Sequence, residues 1–238
     1  MVVQGRLIME VLTNIPFELD ADHLTGRMHI KPDSREADDF HRLVGRAEEV
    51  GNPKAVYKES YIEERDEDRV TIDGVTFESR VLRTNLEGIG RVFPYIVTCG
   101  NEIDDADLSE GDFLKTFWLD CIKEEMLKAS RLYLRDLLQQ KYKLGKTSTM
   151  NPGSGDAAVW PIEQQKKLFS LFGDVEGLIG VTLTESSLMK PNKTVSGIRF
   201  PNEVGFETCE LCHREDCPGR RAPFNKELWE TMQSGKEY

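Results

Sequence analysis

No stretch of this sequence approaches the roughly 20 consecutive apolar residues that a membrane helix needs, so no membrane-spanning helix is expected. The opening run Met1-Val2-Val3-Gln4-Gly5-Arg6-Leu7-Ile8 lacks a charged start, a long apolar stretch and a small-residue cleavage site. It therefore does not read as a signal peptide, and a cytoplasmic location is the expectation. Positive charge is in deficit: 31 Lys and Arg face 42 Asp and Glu, for a formal net charge of -11. Phosphate backbones are bound by clustered cations, which argues against nucleic acid as the main partner; Arg214, Arg220 and Arg221 form a small local basic patch. Repeats and low-complexity segments are absent. So are a P-loop, a dinucleotide fingerprint and a hydrolase nucleophile motif. The glycines at 153 and 155 come without the lysine of a phosphate loop. Cysteine is scarce and odd in number, with Cys99, Cys121, Cys209, Cys212 and Cys217. In a reducing compartment that count disfavours a disulfide framework and points to metal binding or buried thiols.

What is present suits a packed α+β protein. Apolar residues make up 39% and charged residues 31% of 238, enough for one large domain or one domain with an appendage. Phe40, Leu43, Val44, Ala47 and Val50 recur at helical spacing, and Gly51-Asn52-Pro53 then stops the helix. Residues 55–63 alternate as a strand. Asp73-Gly74 between Val70-Thr71-Ile72 and Val75-Thr76-Phe77 is the strongest hairpin signal. Residues 91–99 form another strand. A long amphipathic helix is expected from about Gly111 to Tyr142. It would span on the order of 45 Å at 1.5 Å per residue, and a break near Ser130 is expected. Residues 146–159 read as a loop, Trp160-Pro161 as a helix start, residues 179–183 and 195–200 as strands, and residues 226–232 as a short closing helix. Helices and strands alternate without strict βαβ order, which predicts a mainly antiparallel twisted sheet with flanking helices. The expected division is a domain over residues 1–202 and a cysteine-containing extension over 203–238. His23, His29 and His41 show no ligand spacing and read as surface or capping residues. Asp104-Asp105-Ala106-Asp107 reads as a solvated face at the start of a helix.

Three pieces then occur in order: Asn151-Pro152-Gly153-Ser154-Gly155-Asp156; the helix Ile162-Glu163-Gln164-Gln165-Lys166-Lys167-Leu168-Phe169; and Ile179-Gly180-Val181-Thr182-Leu183-Thr184-Glu185-Ser186, followed by Met189, Pro191 and Val195-Ser196-Gly197. Together they resemble the activation domain of cobalamin-dependent methionine synthase, in a free-standing form. Weaker similarity runs back through Val97-Thr98-Cys99-Gly100-Asn101-Glu102-Ile103. The resemblance implies a domain that binds S-adenosylmethionine and caps the corrinoid of a partner protein or corrinoid-dependent methyltransferase. Cobalt oxidised to Co(II) is returned by an electron to nucleophilic Co(I), and transfer of the sulfonium methyl traps it. The domain's share of that work is positioning; the cofactors supply the chemistry. An electron donor is implied as a further partner.

On that resemblance the ligand-facing residues are Pro152, Gly153, Ser154, Thr184, Glu185, Ser186, Met189, Pro191, Ser196 and Gly197. Gly153 would let backbone approach a ligand closely, and Glu185 would face a cationic sulfonium or a corrinoid amide. Read without the resemblance, the same residues are a surface loop, a turn carboxylate of the usual solvated kind and an ordinary hairpin connection. The family's methionine synthases carry Arg three residues before the Pro-Gly pair and Tyr directly after it; here those positions are Thr149 and Ser154. A threonine does not reproduce a guanidinium fork.

Cys209-x-x-Cys212-x4-Cys217, followed by Pro218, lies beyond these pieces and has no counterpart in the methionine synthase domain. Two thiolates three positions apart reach one metal across a turn, and the third returns after a short loop, as suits an iron–sulfur cluster or zinc. Three ligands leave one position to Cys99, Cys121, a partner, a water or a small ligand, because His213 adjoins Cys212 and neighbouring side chains seldom converge on one metal. Two further functions stay open on this basis: an iron–sulfur electron-transfer or redox adaptor without a bound methyl donor, and a zinc-braced binding module.

Overall fold

The computed structural model describes residues 9–156, 158–203, 205–217 and 220–234. The elements run β1 (Met9–Leu12), α1 (Ala21–Arg27), α2 (Arg35–Val50), β2 (Lys54–Lys58), β3 (Ser60–Arg65), β4 (Arg69–Ile72), β5 (Val75–Glu78), α3 (Arg80–Asn85), β6 (Arg91–Thr98), α4 (Glu102–Asp105), α5 (Phe113–Tyr142), β7 (Thr147–Met150), α6 (Gln165–Ser170), α7 (Val175–Ile179), β8 (Thr182–Leu183), β9 (Met189–Lys190), β10 (Thr194–Pro201) and α8 (Lys226–Ser234). Short 3₁₀ turns cover Ile162–Gln164 and Thr208–Leu211.

Strand β6 organises the sheet. One edge pairs with β2 and β3, which follow it in a single register: Tyr57 lies opposite Tyr95 and Ser60 opposite Val92. Its other edge pairs with β10, which in turn pairs with β7. All pairings between the named strands are antiparallel, and β8 and β9 form a separate two-stranded ribbon. The expected α+β class with a mainly antiparallel sheet is the observed one.

Alternation along β6 explains why every residue from Val92 to Thr98 is buried. Val92 and Ile96 point into a core with Trp160, Phe172, Ile198 and Phe200. Phe93, Tyr95 and Val97 point to the other face, against Leu134 and Leu138 of α5. A third core joins α2 to the first half of α5, with Phe40 edge-on to Trp118 at 5.3 Å. A sheet covered on both faces gains apolar burial from every residue of its central strand.

Four expectations are corrected. Helix α5 runs unbroken for 30 residues. Ser130, where a break was expected, is buried and donates back to the Met126 carbonyl at 2.7 Å, an intrahelical bond that needs no interruption. The expected strand at 179–183 is the end of α7, a left-handed Gly180 and then β8. The expected loop at 146–159 opens with strand β7, whose Thr-Ser-Thr-Met sequence has little apolar pattern but finds an edge on β10. The segment read as one strand over 55–63 is β2 and β3 separated at Glu59. Pro218 lies outside the described residues.

Candidate functional site

Where β7 ends, Asn151 turns its side chain back over the sheet. Its Nδ2 donates to the Tyr95 hydroxyl at 2.9 Å and to the Ser196 carbonyl at 2.6 Å. Gly197 makes this possible: a Cβ there would stand 2.5 Å from the Met150 carbonyl oxygen and against the Asn151 amide. The chain then turns through Pro152, Gly153, Ser154 and Gly155. Gly153 and Gly155 have φ of +74° and +84°, the left-handed region that favours glycine. The loop is tied down by Gly153 N donating to the Trp160 carbonyl at 2.8 Å and Ser154 N donating to that of Asn151 at 3.1 Å.

This loop forms one side of a cleft of about 340 Å³. The floor includes Val195 and Ser196 of β10, with Gln165 and Met189 beside them. Arg131 of α5 enters from another side, and Cys209, Cys212, Cys217 and Arg221 close it. Ser196 Oγ donates to Gln165 Oε1 at 3.0 Å, and Gln165 Nε2 donates to the Ser187 carbonyl at 2.9 Å. Gln165 thus couples the cleft floor to the β8–β9 turn.

The structure brings together Pro152, Gly153, Ser154, Met189 and Ser196, together with all three expected metal cysteines. It leaves out five others. Thr184, Glu185 and Ser186 belong to the β8–β9 turn, where Thr184 Oγ1 bonds Ser186 Oγ and accepts from Leu188 N at 3.0 Å. Glu185 is exposed and offers its carbonyl to Lys166. Pro191, after a cis peptide, is buried and accepts from Thr194 Oγ1. Gly197 acts beneath Asn151. A two-residue ribbon is too short to carry its turn into the cleft as well as its strand. Sequence reasoning missed Asn151 and Gln165 as lining residues, although both lie inside the quoted motif pieces. It also missed Arg131, which nothing in the helix pattern distinguishes.

The cysteine wall is held by Arg220. Its guanidinium donates to the carbonyls of Cys209, Cys212, Arg214 and Ala222 at 2.7–3.2 Å. The Arg221 backbone N–H donates to Cys209 Sγ at 3.4 Å. His213 faces away, packed on Phe224 and Trp229 with ring centroids 4.4 and 4.7 Å distant, and 3.6 Å from an Asp156 carboxylate oxygen. Neither Cys99 nor Cys121 lines the cleft. Cys99 is buried in the core beside α2 and α5, where burial pushes its thiol up to about 12; Cys121 sits on α5 and is also raised by burial. Among the described residues, no three His, Cys, Asp or Glu side chains stand close enough together to hold a metal ion. The three thiols are a shared wall and not a formed coordination set. No helix of the described chain is long and apolar enough to cross a membrane.

An antiparallel sheet flanked by helices, with a cleft where a glycine loop leaves an edge strand, defines the class as α+β. A solved structure described as the MetH reactivation domain bound to AdoHcy shares it, with a TM-score of 0.55 over 85% of this chain and 82% of that one at 17% identity. Residues 117–209 match the family model of the vitamin B12 dependent methionine synthase activation domain. The matched span contains the glycine loop, Gln165, Met189 and Ser196 and stops at Cys209, so Cys212 and Cys217 lie beyond it. No curated protein sequence gives a significant match.

Proposed function

We propose that this protein docks on a corrinoid protein or corrinoid-dependent methyltransferase and assists the reductive reactivation and methylation of its cobalt. The cleft takes S-adenosylmethionine or its demethylated product. One observation carries the reading: the glycine loop, Met189 and Ser196, quoted from the sequence for their family likeness, line a single cleft within the matched segment. The likeness to a domain solved with AdoHcy supports the choice of ligand. The chain's own contribution is to bind and orient. The loop and β10 would hold the nucleoside so that its sulfonium methyl points toward a ring presented by the partner. Domain organisation follows the same reading, with residues 1–202 as the activation-domain-like body and 203–238 as an extension that closes the cleft.

Anaerobic calorimetric titration tests this reading. Saturable, stoichiometric heat with S-adenosylmethionine or S-adenosylhomocysteine is expected, and no heat at high ligand concentration would remove the methyl-donor part. Docking is tested by gel filtration with a purified corrinoid protein of the same cell, where corrinoid absorbance must co-elute with this chain.

A second reading is favoured by the position of the three thiols on the wall of that same cleft. Here the extension gathers its thiolates around an iron–sulfur cluster or zinc when loaded, as an electron-transfer adaptor or a braced module. Iron, sulfide and zinc analysis of anaerobically isolated protein decides it. Stoichiometric metal lost in Cys209→Ser supports it, and metal-free protein that takes up neither iron with sulfide nor zinc rejects it.

A further inference from the structure

The cleft carries an unanswered positive charge. No Asp or Glu lines it, whereas Arg131 and Arg221 both do. Behind them stands Arg199 of β10, which lies in register opposite Thr149 on the same face of the sheet. Its Nη1 donates to Thr147 Oγ1 at 2.7 Å, while its Nε is sealed from solvent and meets no acceptor. Arg135 of α5 completes the group, paired with Asp136 at 2.7 Å, and Arg221 is paired with Glu207 at 2.9 Å. Four guanidiniums thus meet two carboxylates. Arg131 and Arg199 have no carboxylate partner among the described residues. Burial, together with the like charges of Arg131, Arg135 and Arg221, holds Arg199 below its ordinary value. This local excess occurs in a chain whose net charge is -11.

An inward-facing, half-buried cation without a counter-ion is costly unless a ligand supplies the charge. The three thiols do not supply it as neutral groups, since a thiol is only a weak acceptor. In the glycine loop the N–H groups of Gly153 and Ser154 are engaged with Trp160 and Asn151. The side chains offer the stronger grip, since guanidiniums bind a carboxylate through two parallel N–H donors.

We propose that the cleft grips the carboxylate of its ligand between Arg131 and Arg221, with Arg199 adding positive field from behind. This assigns one end of the cleft to the amino-acid moiety of the ligand and leaves the glycine loop for its apolar and nucleoside parts. It rests on the functional reading above, and it names binding residues drawn from α5, β10 and the extension.

The test uses the whole protein and two probes, S-adenosylmethionine and its decarboxylated analogue, which keeps the sulfonium and the amine. Losing a charge-assisted hydrogen-bond pair of this kind weakens binding roughly 10- to 100-fold. The analogue is therefore expected to bind the native protein that much more weakly, and Arg131→Met to weaken S-adenosylmethionine by a similar factor while leaving the analogue almost unchanged. Arg199→Lys, which keeps a charge if the fold is sensitive to its loss, is expected to weaken S-adenosylmethionine less than Arg199→Met does. Equal binding of both probes to the native protein, or an equal loss of both in Arg131→Met, overturns the carboxylate grip and leaves the methyl-donor reading standing. Binding of neither probe by native protein overturns both.

Discussion

The Asn151 side-chain amide lies 2.9 Å from the Tyr95 hydroxyl, joining the start of the glycine loop to the far face of the central strand. That contact exists because Gly197 lets the end of β7 come close. Gly197→Ala should therefore destabilise the sheet even though alanine has the better strand propensity. Its methyl would meet the Met150 carbonyl oxygen at 2.5 Å, and a backbone atom in a sheet cannot yield as a flexible side chain can. Unfolding free energy is expected to fall by about 1–3 kcal/mol, the usual cost of overpacking, with ligand heat lost in the same titration. Urea unfolding and calorimetry read the two effects; unchanged stability would mean that β7 is free to move away.

Arg220 spans the cysteine loop through four carbonyls. A lysine has a point charge in place of the planar fork, so Arg220→Lys should release the loop with a stability loss of about 1–3 kcal/mol. Thiol titration with a disulfide reagent should then show faster reaction of Cys209 and Cys212. An unaltered rate would show that the loop holds its shape without the fork.

Cys99 gives an alkaline signature. Burial raises its thiol to about 12 from the ordinary 9.0, so the folded state favours the protonated form. Its contribution to stability is full below about pH 9 and is lost as the pH rises toward 12, with a total on the order of 4 kcal/mol. Cys99→Ala should flatten the fall in unfolding free energy over that window. By the same logic Cys99 should be the last of the five cysteines to be alkylated in native protein, as read by peptide mass spectrometry.

Glu10 gives the acidic counterpart. Burial raises its carboxyl, but hydrogen bonds from Lys141 and Tyr57 outweigh this and the net shift is downward from 4.5. A depressed carboxylate stabilises the fold above its unfolded value and loses that contribution as the pH falls through its folded value. Glu10→Gln should therefore reduce the acid sensitivity of the melting temperature below about pH 4.5, with little change in slope at neutral pH. An identical acid limb in both proteins would show that the Glu10–Lys141–Tyr57 contact adds nothing to folding.

Much of this molecule is written locally. The spacing of Phe40, Leu43, Val44 and Ala47 specifies α2, because a 3.6-residue period puts those side chains on one face whatever the partner. Asp73-Gly74 specifies the β4–β5 hairpin through its turn geometry, and the left-handed demand at residues 153 and 155 is met by glycine in the sequence itself. The motif pieces between 151 and 197 carry the family resemblance and lie inside the segment that the family model matches. Other features depended on contacts distant in the chain. Strand β7 has no decisive pattern of its own, and β10 supplies its edge. Thr184, Glu185 and Ser186 have polar chemistry suited to a site, yet the short β8–β9 ribbon carries them outward. Arg131, Arg199 and Arg221 are separated by up to 90 residues, and only the packing of α5 over β10, with the extension folded back across the cleft, gathers their charge. Periodicity and turn chemistry act between near neighbours and so survive in the sequence. An electrostatic site is made from the distances between strands and helices, which the folded chain alone sets.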